Sequence, residues 1–188
     1  MNHVPMRTAG LITVTMLAFS AAPIEAVTTG PGSYYATPSW DQQLPVSTRF
    51  VVLSNWIDAA HPSGGAAVLD RETGLVWEQS PDATLRSWGD AQRACMNKNV
   101  GGRGGWKLPS IQELRSLVDP ASSNPALPAG HPFTNTHASY YWSATTFVVA
   151  TDVAWFVNLS DGSVDSTTSF DLSNFVWCVR GSPGADGQ

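Results

Sequence analysis

Ser87-Trp88-Gly89-Asp90-Ala91-Gln92-Arg93-Ala94-Cys95 and, ten residues on, Gly105-Trp106-Lys107-Leu108-Pro109-Ser110-Ile111-Gln112-Glu113-Leu114 are the stretches on which the fold turns. Ser87 and Ser110 each stand where a helix N-cap belongs. Each has a carboxylate three residues later, Asp90 and Glu113, at capping-box spacing. Trp88, Ala91 and Cys95 recur at i, i+3 and i+7, so one helical face is apolar and turns Cys95 inward. Ile111, Leu114 and Leu117/Val118 form the apolar face of the second helix, which Asp119-Pro120 ends. Between them, Gly101 to Gly105 reads as a flexible turn.

Working outward, both flanks read as strands. Upstream, Arg49 to Leu53 is a first short strand, and His61 to Gly65 is a loop by composition. Residues 66–70 and 74–78 form a hairpin around Arg71-Glu72-Thr73. Downstream, residues 120–138 are a long Pro/Asn/Ala/His segment without periodicity, a length often tied to function. Strands follow at Tyr140–Phe147, Val153–Leu159, Ser163–Thr168 and Phe175–Arg180. Ser160-Asp161-Gly162 supplies a hairpin turn. Strands, two helices, a long loop and strands again predict an α+β domain with an antiparallel sheet.

The N-terminus reads as a signal peptide over residues 1–26. Arg7 gives the positive start, Ala9 to Ala22 the apolar stretch, and Ala26 the residue before the cut. The stretch is too short to span a bilayer, and the alternative is an uncleaved anchor. Residues 27–47 are a Thr/Gly/Pro/Ser leader with Trp40 as a possible anchor, 48–182 the domain, and 183–188 a flexible tail. No other stretch reaches spanning length, so no membrane span is expected in the mature chain. Removing Arg7 and Glu25 leaves the net charge at −5, which argues against nucleic acid and anionic membrane surfaces. Charged residues are 13% of the chain, about half the usual share of roughly 25%. Solubility therefore rests on Ser, Thr and Asn. An even pair of cysteines in an exported chain favours a Cys95–Cys178 disulfide between first helix and last strand, the alternative being two buried thiols.

Six stretches then stand in one order: Asp70–Trp77, Ser87–Ala91 with Cys95, Gly105–Leu114, Tyr141–Thr146, Ala154–Leu159 and Trp177–Gly181. Together they resemble the bacterial DUF1566 family, also described as the C-terminal domain of the Legionella collagen-like adhesin, over about residues 49–181. The resemblance implies a C-type-lectin-like, sulfatase-modifying-factor-like fold. In it, two short helices flank a small twisted antiparallel sheet, the termini lie close together, and a disulfide joins first helix and last strand. It also implies binding of glycosaminoglycan-like polymers at a bacterial surface. The sequence departs from these relatives in having no Gly-x-y collagen segment, and its acidity disfavours polyanions. Neither a Glu-Pro-Asn or Gln-Pro-Asp loop nor a Trp-Asn-Asp strand is present to hold calcium. Both cysteines fall at the disulfide positions, so copper chemistry has no carrier.

The expected role is non-catalytic recognition of a glycan or a surface protein, in the periplasm, on the cell surface or outside. A structural subunit of an envelope assembly and an enzyme acting on envelope polymers are the alternatives. The long-loop face supplies the candidate ligand-binding residues His131, Asn135, His137, Tyr140, Tyr141 and Asp152. Ser139 or Ser143 with a loop histidine and Asp152 could be drawn as a catalytic set, but no Gly-x-Ser-x-Gly elbow accompanies them. No cofactor and no metal site are expected. Asp161 and Asp165, with Asp152 and Asp171, are the carboxylates nearest to a calcium set, and a turn with solvated carboxylates is the preferred reading. Trp77, Trp88, Trp106, Trp155 and Trp177 are expected in the core, whereas Trp40, Trp56, Tyr140 and Tyr141 are expected at the surface. Oligomeric state is not written in the sequence.

Overall fold

The computed structural model describes residues 44–168 and 172–181. The signal peptide, most of the leader with Trp40, Asp171 and the tail 183–188 lie outside the described residues.

A four-residue helix α1 (Val46–Arg49) opens the domain and leads into β1 (Phe50–Val52). Arg49 thus closes a helix rather than starting the strand. It is buried, and its guanidinium grips Asp70 through two bonds of 3.0 and 2.8 Å. Its Nη2 also donates to the Ser116 carbonyl at 2.6 Å. A buried cation needs such partners, and Asp70 and Glu72 supply the opposite charge. β2 (Ala67–Asp70) and β3 (Leu75–Glu78) form the hairpin read from the sequence, with Gly74 at φ +72 in the turn. α2 (Trp88–Met96) and α3 (Ile111–Arg115) start at Ser87 and Ser110. The Ser110–Glu113 capping box is complete, while Ser87 accepts from the Asp90 amide. β4 (Trp106–Lys107) lies between the helices.

β5 (Tyr140–Phe147), β6 (Ala150–Asn158) and β7 (Val164–Thr168) form a three-stranded antiparallel sheet. β8 (Val179–Arg180) joins the other, five-stranded sheet in the order β1-β2-β3-β8-β4. The domain is therefore α+β and antiparallel, but with two sheets where one was expected. The last strand is shorter than residues 175–180 because Cys178 donates its amide to the Glu78 carboxylate at 2.8 Å instead of to a strand. Phe175 stitches the sheets together: its amide donates to Tyr140 and its carbonyl accepts from Trp142.

The five-stranded sheet is buried on both faces, which explains why every residue of β3 is buried. On one side Leu75 and Trp77 pack with α3 (Leu114), with Phe133 of the long loop, and with Tyr141 and Val157 of the second sheet. On the other side Val76 packs with α2 (Ala91, Cys95), Trp106, Trp142 and Phe156. The helices thus take opposite faces. Cys95 and Cys178 are bonded, with Cα atoms 5.4 Å apart, and fasten α2 to the sheet. Gly101, at φ +59, is not a free hinge. A Cβ there would stand 2.6 Å from that of Trp56, so glycine is what lets the two segments touch. This contact, the Trp106 ring at 6.1 Å and the Arg103 guanidinium at 4.3 Å bury Trp56, contrary to the expected exposure.

Candidate functional site

Part of the long loop packs into the core, while Asn135 is exposed and His131 and His137 are half-buried. Phe133 is buried between Phe50 at 5.1 Å and Trp177 at 4.9 Å. Thr134, Gln79 and Pro132 exchange three hydrogen bonds, and the Asn135 side chain donates to Pro81 at 3.0 Å. His131 is half-buried against Phe133, 5.8 Å between rings, and burial holds its imidazole below the ordinary value. His137 stacks on Phe175 at 4.4 Å and donates its amide to the Tyr141 hydroxyl at 2.9 Å. His131 Nδ1 and His137 Nε2 are buried without a hydrogen-bond partner among the described residues.

Tyr141 corrects the expectation of a surface residue. It is fully buried, and burial pushes its hydroxyl up to about 12. Its neighbour Tyr140 points the other way, 48% exposed, with its ring edge-on to Phe156 at 5.2 Å. Successive residues on a strand face opposite sides, so only one tyrosine could reach solvent.

Asp152 is exposed but lies near the β5–β6 tip, whereas Tyr140 pairs with Asn158 at the far end. Six residues of strand separate the two ends, roughly 20 Å. The histidines of the long loop, at the Tyr140 end, are thus not brought to Asp152. Ser143 is buried and donates its hydroxyl to the Trp155 carbonyl at 2.8 Å, which removes it from the drawn catalytic set. Asp161 accepts from the Ser163 amide and hydroxyl at 2.9 and 2.7 Å, as a turn aspartate does. Those bonds hold its carboxyl below the ordinary range. Asp165 is exposed and accepts from Ser166 at 2.7 Å. Among the described residues no three His, Cys, Asp or Glu side chains gather as a metal site.

What the fold does build is a groove of about 420 Å³ between α3 and the three-stranded sheet. Ile111, Gln112 and Arg115 form one wall; Thr145 to Phe147 of β5, Val148 of the turn after it, Trp155 and Val164 form the other. The Trp155 and Phe147 rings stack at 5.7 Å and 27°. The indole N–H groups of Trp88, Trp106, Trp142 and Trp177 each donate to a backbone carbonyl. Trp155 has no such bond among the described residues. Arg115 is exposed and has no carboxylate partner among the described residues. The Thr145 hydroxyl, accepting from the Ile111 amide at 3.0 Å, fixes α3 beside β5 and so sets the width of the groove. At its end the hairpin tip leaves Val148 and Val149 95% and 85% exposed.

Trp155 was one of the five tryptophans within the family motifs expected in the core. Its face is indeed apolar, since Val157 and Leu159 on that side are buried. Yet α3 is only five residues long and leaves Trp155 partly uncovered. Residues 66–180 match the profile of a family described as the Lcl C-terminal domain. No curated protein matches the chain.

Proposed function

The chain belongs to the Lcl C-terminal domain family, and on that premise we propose that it is an exported, non-catalytic recognition domain of C-type-lectin-like fold that binds a glycan in the α3 groove. The carrying observation is the stacked Trp155–Phe147 pair, partly open, in a groove with polar groups at hand. An aromatic face suits the apolar face of a sugar ring, and a few placed polar groups give orientation. Gln112, Arg115, Thr145 and Thr146 can exchange hydrogen bonds with ring hydroxyls. The disulfide supports export to the periplasm, the cell surface or beyond, because such bonds persist in oxidising compartments. Among the described residues no helix is long and apolar enough to cross a membrane.

The test is a glycan array probed with the purified protein and with Trp155→Ala, each checked by thermal melting. Binding that falls at least about tenfold in the folded variant supports the reading, as loss of one stacked sugar contact should. Binding untouched by Trp155→Ala would remove the groove from it. The bare hairpin tip, Val148 and Val149, favours a second reading: a protein contact within an envelope assembly. Glycan silence with a cross-linked protein partner, lost on Val148→Ser/Val149→Ser, would favour that one.

A further inference from the structure

The β5–β6 hairpin ends in two bare valines, Val148 and Val149, with Phe147 beside them 39% exposed. Turns usually carry Gly, Asn, Asp or Ser, so this tip is apolar where local chemistry calls for polar residues. It adjoins the α3 groove, where Ile111, Phe147, Trp155 and Val164 give an apolar lining. Two charges of opposite sign flank the same surface. Arg115 stands on the α3 wall, exposed and without a carboxylate partner among the described residues. Asp152 stands on β6 just beyond the tip, exposed and without a cationic partner among the described residues.

We propose that this surface is the interface of a two-fold dimer of the chain. Each copy lays Val148 and Val149 into the other's α3 groove and sets Asp152 against the other's Arg115. A two-fold contact needs a patch complementary to itself. This one carries a projection beside a recess and an acid beside a base, so one axis satisfies both halves at once. The groove, about 420 Å³, is as large as sites that enclose drug-sized ligands, which leaves ample room for two valine side chains. The net charge of −5 opposes the pairing of like copies. Charges farther apart than about 8 Å are screened at physiological salt, however, so the local Arg115–Asp152 match governs. The patch is small, so association is reversible and depends on concentration. The inference rests on the tip being a protein contact, not on the groove being a sugar site. A sugar and a second copy would compete for Trp155.

Sedimentation velocity of the purified protein over a concentration series is the test. The wild type should pass from monomer to dimer as concentration rises. Val148→Ser/Val149→Ser changes only exposed positions, so it should fold, and its dimer should dissociate at least about tenfold more readily. Arg115→Glu and Asp152→Lys should each weaken the dimer to a similar degree, because symmetry then sets like charges together twice. An equimolar mixture of these two variants should restore it, since each copy meets its opposite charge again. A wild type that stays monomeric up to about 1 mM would overturn the proposal. So would a dimer indifferent to the tip and charge variants, or a mixture no more associated than its parts. Cross-linking of the tip to a different protein, with the chain itself monomeric, would also overturn self-pairing while leaving the tip a protein contact.

Discussion

Two adjacent tyrosines show what a single residue position settles. Tyr140 and Tyr141 look alike in the sequence, but β5 pairing sends one to solvent and the other into the core. A one-residue slip would exchange them, and register is fixed by contacts distant in sequence, Asn158 and Phe175 among them. His131 carries the residue-scale prediction. Burial favours its neutral form in the fold, so the stability linked to it is complete above about pH 6.5 and is lost as pH falls through its lowered folded value. Comparing urea melts of wild type and His131→Leu at pH 5 and pH 8 should show a smaller pH dependence in the variant. Equal pH dependence would mean that other groups carry the acid sensitivity. The Asp58–His61 pair was equally available to local reading, being only three residues apart, but His61 there was one loop histidine among several.

At the scale of elements, helix starts were legible because capping is local. Ser110 accepts from the Glu113 amide at 3.2 Å, and Glu113 accepts from the Ser110 amide at 2.7 Å. Lys107 adds a 2.7 Å ion pair to the same carboxylate. A five-residue helix cannot persist on propensity, so it depends on these bonds and on packing by Ile111 and Leu114. Ser110→Ala should therefore cost about 1 kcal/mol in chemical denaturation, and should also weaken glycan binding by shifting Gln112 and Arg115. A variant as stable as wild type would show that packing alone holds α3. The packing of the long loop was not legible, for an equally physical reason. Its composition has no period, so nothing local reveals that Phe133 plugs the core and that Gln79 pins its backbone. The hairpin strands were legible by alternation, but β6 begins at Ala150, earlier than alternation reached, because it pairs with the end of β5.

Across the whole molecule, the Cys95–Cys178 bond closes a separation of 83 residues and spans the seam between α2 and the five-stranded sheet. In the chain-entropy account such a closure contributes about 4–5 kcal/mol, so reduction, or Cys95→Ala/Cys178→Ala, should lower the denaturation midpoint sharply. An unfolding free energy within about 1 kcal/mol of that of the oxidised protein would contradict that share. The two buried aromatic layers lie on opposite faces of this sheet, and the groove belongs to the α3 side. By itself the sequence determined the α+β order, the capped starts of α2 and α3, the two hairpins, the cysteine partners and the family, because each rests on spacing or motif carried along the chain. Tertiary structure alone decided that there are two sheets, that Trp56 and Tyr141 are interior while Trp155 is partly bare, and that Glu78 meets Lys98. Those outcomes depend on which distant segments cover a face and where that cover ends, and no local period encodes the edge of a neighbour.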